Sequence, residues 1–130
     1  MLRAVVFSDD ASSIAALRRA LNLCWPEDCQ VMALPSSAAD YRDGLAEADF
    51  VFVDGDSLGG EAVKSIRSAT SCPIIGLATL DEANVTVPWL LGQGVDDYLY
   101  KPFSSLDVLK RLANLTTPCD GAGKELPKGG

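Results

Sequence analysis

The chain has 130 residues, 48% of them hydrophobic and 22% charged, which is the size and composition of one globular domain and excludes a disordered chain. A net charge of −7 argues against direct nucleic-acid contact, which requires clustered Lys and Arg. No apolar run approaches the roughly 20 residues of a membrane span, and the start Met1, Leu2, Arg3 does not open a signal peptide, so a soluble, cytoplasmic domain with no membrane contact is expected.

Leu2–Phe7 is an apolar run that stops at Ser8, Asp9 and Asp10, the pattern of a buried strand ending at acids. From Ser12 the spacing turns helical. Ile14, Leu17 and Leu21 share a face, Arg18, Arg19 and Asn22 lie off it, Ser12 or Ser13 can cap the first turn, and Pro26 ends the helix beside a packing Trp25. Residues 30–34 read as a second strand, with a weak helix over 41–46. The clearest strand is Phe50, Val51, Phe52 and Val53, β-branched and aromatic throughout, running into Asp54, Gly55 and Asp56.

After a polar, glycine-containing loop, Ala62, Val63 and Ile66 supply the apolar side of the next helix, and residues 74–77 the fourth strand. A short helix over 89–93 is expected to open at Pro88 and close at Gly94, with Trp89 packing inward. Residues 95–100 form the fifth strand, with Asp96 and Asp97 a solvated beginning and Tyr98 and Tyr100 directed to opposite sides. Lys101, Pro102 and Phe103 lead into a last helix capped by Ser104 or Ser105, with Leu106, Leu109, Leu112 and Ala113 inward and Lys110 and Arg111 wet. Periodicity is lost after Leu115. Residues 1–115 are therefore expected to form the domain, and 116–130 a tail or, preferably, a linker to an effector domain.

Five strands, each followed by a helical pattern, imply an α/β fold, a doubly wound five-stranded parallel sheet with helices on both faces. Functional groups of such sheets gather at the carboxyl ends of the strands. There the sequence puts Asp9 and Asp10, Asp54, Thr79 and Lys101. Acids crowded around one lysine call for a further cation, and hard oxygen ligands suit Mg²⁺. With Mg²⁺ and Lys101 neutralising the incoming oxygens, Asp54 can attack phosphorus. A carboxylate needs no deprotonation, so a chain without histidine fits a phosphoryl group that arrives on a partner's histidine. The cysteines, Cys24, Cys29, Cys72 and Cys119, form no CxxC pair and read as reduced thiols.

Over residues 2–115 the chain resembles the receiver domains of two-component response regulators. Those domains carry an acid pair after strand one, a phosphoacceptor Asp after strand three, a Ser or Thr after strand four and Lys-Pro after strand five. The stretch from Gly94 through Asp96, Asp97, Tyr98, Lys101 and Pro102 to Phe103 is especially close to the family's pattern. The resemblance implies a flavodoxin-like sheet of strand order 2-1-3-4-5, Asp54 as phosphoacceptor, and Lys101 and Thr79 acting with it. It implies Mg²⁺ on Asp10 directly, with Asp9, Asp54 and the backbone carbonyl of Asp56, and a cis Lys101–Pro102 bond. Tyr98 stands at the switch-aromatic position. The implied partner is a sensor histidine kinase or phosphotransfer protein. Such a domain is a self-phosphorylating acceptor, not a turnover enzyme.

The sequence departs from the family in three places. The segment from Val85 to Gly92 makes a short or distorted fourth helix, in which Trp89, Leu90 and Leu91 either pack inward or supply a homodimer or partner surface with the fifth strand and last helix. The other two departures bear on the switch. The loop after Asp54 is short and lacks the customary proline, and the Ser/Thr position falls on Ala78 counted from Pro73 but on Thr79 counted back from Lys101. These motivate one alternative, a pseudo-receiver that signals by contact without phosphorylation. A second is a haloacid-dehalogenase-type phosphatase, whose nucleophile motif resembles Phe52, Val53, Asp54, Gly55, Asp56 and Ser57, with Asp56 as general acid.

Overall fold

The computed structural model describes residues 2–26, 29–35, 45, 47–79 and 83–120. In chain order the elements are β1 (Leu2–Phe7), α1 (Ala11–Cys24), β2 (Cys29–Leu34), β3 (Phe50–Asp54), α2 (Gly60–Ala69), β4 (Ile74–Thr79), α3 (Ala83–Gly92), β5 (Asp97–Lys101) and α4 (Ser105–Asp120). The strands form one parallel sheet in the order β2-β1-β3-β4-β5, so the fold is the expected flavodoxin-like α/β architecture. The helix read over 41–46 lies outside the described residues except for Leu45, which is helical and buried.

The inner strands are apolar on both faces because both are covered. Alternate residues of one strand enter different cores. Ala4, Val6, Phe52, Ile75 and Leu77 pack with Leu17 and Leu21 of α1 and Val108 and Leu112 of α4. Val5, Phe7, Val51, Val53 and Ile74 pack with Val63 and Ile66 of α2 and Leu90 of α3. Each large side chain removed from water here contributes roughly 1.5–3 kcal/mol. Gly76 lets α3 approach β4, since a Cβ at that position would lie 2.7 Å from Leu90 Cδ1. Trp25 packs against the first core, its ring 5.9 Å from Phe50.

Several local expectations give way to stronger physical terms. The cap of α1 is Asp10, whose carboxylate accepts from Ser12 N, because the acid already stands at the strand end. Pro88 lies inside α3 instead of opening it. At the sixth of the ten residues of the helix it removes one i→i−4 bond, to the Asn84 carbonyl, and the burial of its neighbours Trp89 and Leu90 against the core holds the helix in spite of it. Trp89 packs inward as expected, while Leu91 stays 44% exposed.

On α4 the buried residues are Val108 and Leu112, whereas Leu106 and Leu109 are exposed. Both the 106/109/113 row and the 108/112 row are apolar, so periodicity alone does not select a face. Backbone helix continues past Leu115 to Asp120, since an established helix extends more readily than it nucleates. Residues 121–130 lie outside the described residues.

Asp96 and Asp97 are tied down at the start of β5. The Asp96 carboxylate accepts from Ile74 N and from Arg67, and Asp97 pairs with Arg111. Arg67 also bonds the carbonyls of Thr70, Cys72 and Gly94, the last a residue at φ 102°. The Tyr98 and Tyr100 rings lie 5.3 Å apart on one side of β5, as residues two apart on a strand must.

Candidate functional site

The carboxyl ends of β1, β3, β4 and β5 converge where the strand order reverses between β1 and β3. A cavity of about 610 Å³ opens there, lined by Asp9, Asp10, Asp54, Asp56, Thr79 and Lys101 with Gly55 and Ser57. β3 ends at Asp54, whose side chain is fully buried. Leu77 O holds Gly55 N at 2.8 Å and Asp54 O accepts from Ser57 and Leu58, which bends the chain tightly after the strand.

The Asp54 carboxylate is bonded on both oxygens. Oδ1 accepts from the backbone N–H of Asp56 at 2.9 Å. Oδ2 accepts from Lys101 Nζ at 2.8 Å and from Ser8 Oγ at 2.6 Å. Lys101 also lies 3.2 Å from Asp56 and 3.4 Å from Asp10. Burial works against the Lys101 ammonium, but its hydrogen bond to Asp54 and the charges of Asp54 and Asp56 outweigh it and raise its pKa above the ordinary lysine value. The Lys101–Pro102 bond is cis.

Asp10 has its pKa lowered. The Ser13 hydroxyl contributes most, against desolvation, with the Ser12 amide and Lys101 adding to it. Asp9 lines the pocket, and its backbone N–H donates to Ser57 Oγ at 3.1 Å. Thr79 donates its hydroxyl to Asp56 Oδ2 at 2.6 Å, whereas Ala78 is buried beside Tyr98. Of the two residues competing for the hydroxyl position, Thr79 is therefore the one at the pocket. Tyr98 stands apart from the acids, packed on Ala78 with the Arg111 guanidinium 5.2 Å from its ring centre.

Sequence reasoning missed Ser8 and Ser57. A serine before an acid pair reads as an ordinary strand end, and the signal that could have found Ser8 is a polar residue at the end of an otherwise apolar, buried run.

The donor atoms around the cavity are hard oxygens, which suit Mg²⁺. Among the described residues no three acidic, cysteine or histidine side chains are gathered into a metal cage. Mg²⁺ usually uses one or two carboxylates with water and phosphate oxygens, so the residues present fit it. A desolvated carboxylate beside a fixed cation is a competent nucleophile toward phosphorus.

No protein-family model matches the chain. The response regulator MprA of Mycolicibacterium vanbaalenii is 33% identical over 132 aligned positions, which cover 95% of this chain and 55% of that protein. The signal receiver domain of a response regulator from Bermanella marisrubri superposes with a TM-score of 0.70 at 27% identity, covering 88% of this chain and 97% of that one. The chain belongs to the response-regulator receiver domains. The receiver domain of AraT from Geobacillus stearothermophilus has the same fold, with a TM-score of 0.72, 21% identity and coverage of 93% and 97%.

This receiver domain thus spans a little over half the length of the curated response regulator it matches. None of these relatives is a haloacid-dehalogenase-type phosphatase. Receiver domains are signalling modules of two-component systems and not turnover enzymes in the usual sense. No helix among the described residues is long and apolar enough to cross a membrane.

Proposed function

We propose that this receiver domain accepts a phosphoryl group on Asp54 from the histidine of a partner kinase or phosphotransfer protein, and that the modification switches a protein-interaction face. The observation that carries the reading is the fully buried Asp54 carboxylate with Lys101 Nζ 2.8 Å away. Burial strips water from the nucleophile, and the ammonium supplies a fixed positive charge where phosphoryl oxygens arrive. Asp54 attacks without a base, and Lys101 moves from the free carboxylate to the transferred group. Asp10 and Asp54 with the carbonyl of Asp56, assisted by Asp9, would hold Mg²⁺, which would supply further charge neutralisation at the phosphoryl oxygens.

Thr79 and Lys101 both donate to Asp56 Oδ2, and the oxygens of a phosphoryl group on Asp54 would offer the Thr79 hydroxyl a competing charged acceptor in the same pocket. Tyr98 packs on Ala78, the neighbour of Thr79, and would relay a movement of Thr79 to β5 and α4. The exposed Leu91, Tyr100, Leu106 and Leu109 supply apolar surface from α3, β5 and α4 for a partner or a second copy. A cytoplasmic setting is part of the same proposal.

Incubation with Mg²⁺ and acetyl phosphate, followed by intact mass, tests the reading. One phosphoryl group on the wild type and none on Asp54→Asn supports it. No addition to the wild type favours the pseudo-receiver instead.

A further inference from the structure

Nothing in the acid, lysine and threonine pattern of the pocket requires a hydroxyl at position 8. β1 is apolar and buried from Ala4 to Phe7, and Ser8 has only 2% of its surface exposed. Its Oγ accepts from the backbone N–H of Asp10 at 2.9 Å, so its single proton is directed at Oδ2 of Asp54, 2.6 Å away. Hydrogen bonds to a charged acceptor are roughly twice as strong as neutral ones. Lys101 shares this oxygen, but its long side chain also reaches Asp10 and Asp56. Ser8 has one short rotor at the end of a central strand and stays in place when Lys101 moves.

We infer that Ser8 is a positioning residue that sets the lifetime of a phosphoryl group on Asp54, because its hydrogen bond stabilises the free carboxylate more than the aspartyl phosphate. The inference rests on the reading of Asp54 as phosphoacceptor. On transfer from acetyl phosphate, an Asp54 oxygen bonds to phosphorus as the acetyl P–O bond breaks and its electron pair leaves on acetate. On hydrolysis, water oxygen bonds to phosphorus, the Asp54 O–P bond breaks with its pair returning to the carboxylate, and the proton of water passes to the released phosphate. Carboxylate charge falls in the first step and returns in the second. A donor bonded to that carboxylate slows transfer and speeds hydrolysis, whichever oxygen bears phosphorus, since an ester oxygen is the weaker acceptor.

The test uses the 130-residue chain as wild type, Ser8→Ala and Ser8→Cys, at saturating Mg²⁺, with intact mass following both uptake from acetyl phosphate and decay after its removal. Ser8→Ala is expected to take up phosphate faster and lose it more slowly, each by roughly threefold to tenfold. Ser8→Cys, a weaker donor of similar size, shifts the same way by less. Damage to folding lowers uptake without prolonging decay, so opposite movement of the two rates separates the role from a structural lesion. Should Ser8→Ala not fold, Ser8→Cys decides. Unchanged decay, or both rates moving together, overturns the role of Ser8 while leaving Asp54 as acceptor. A wild type that takes up no phosphate overturns the reading of Asp54 and this inference with it.

Discussion

Lys101 Nζ and Asp54 Oδ2 form a 2.8 Å ion pair in which the carboxylate is fully buried and the lysine side chain is 13% exposed. Removing one partner of such a pair leaves an uncompensated buried charge, at a cost of about 3–5 kcal/mol. Lys101→Met is therefore expected to lower stability to urea by about that amount. Asp54→Asn in the same chain should recover a large part of the loss. Strictly additive effects in the double variant would contradict the pairing.

Asp10 serves two ends, capping α1 and facing the cavity. Asparagine caps a helix about as well as aspartate but offers no charge to a cation. Asp10→Asn is expected to keep the cap, lose the part of the stability that rests on the charge paired with Lys101, and lose Mg²⁺ affinity by calorimetric titration, whereas Asp10→Ala loses the cap as well, a further cost of about 1 kcal/mol. Equal Mg²⁺ binding in Asp10→Asn and wild type would remove Asp10 from the proposed ligands.

The approach of α3 to β4 depends on Gly76, where a Cβ would also lie 3.3 Å from Val95 Cγ1. Leu90 is fully buried and has little room to retreat. Gly76→Ala should destabilise by about 1–3 kcal/mol in urea titration. A change under roughly 0.5 kcal/mol would mean the two elements are less tightly packed than described.

Acid stability follows from two carboxylates whose pKa lies below the ordinary 3.8. Asp10 is held there first by the Ser13 hydroxyl, and Asp107 first by the Ser104 amide and then by the Ser104 hydroxyl. A depressed pKa contributes stability above the unfolded value that is lost as pH falls through the folded value. Lys101 is raised, so its contribution is complete below 10.5 and lost only as pH rises through the folded value. Thermal melts taken down past pH 3.8 should show a declining limb, made shallower by Ser13→Ala or Ser104→Ala. An identical limb in both variants would contradict the assignment.

The sheet was legible because β3, β4 and the Ala4–Phe7 part of β1 are buried on both faces and read as apolar runs ending at polar residues. Asp54 stood out for the same reason, as a charge at the end of such a run, and Lys101 through the Lys-Pro pattern after the more polar β5. What escaped depended on choices that local pattern does not decide. Val108 and Leu106 offer α4 two apolar faces, and only packing against α1 selects the first. Asp10 and Ser12 are both competent caps, and strand geometry favours the acid. Ser8 acquires meaning only through Asp54, 46 residues away.

The central claim is that phosphorus is carried by Asp54 itself, and chemical trapping tests it most directly. Borohydride reduces an aspartyl phosphate to homoserine while leaving free carboxylates intact. After incubation with Mg²⁺ and acetyl phosphate, peptide mass spectrometry should find homoserine at position 54 and unchanged Asp9, Asp10 and Asp56. Reduction at another acid, or none in a chain that has gained phosphate, would contradict the assignment.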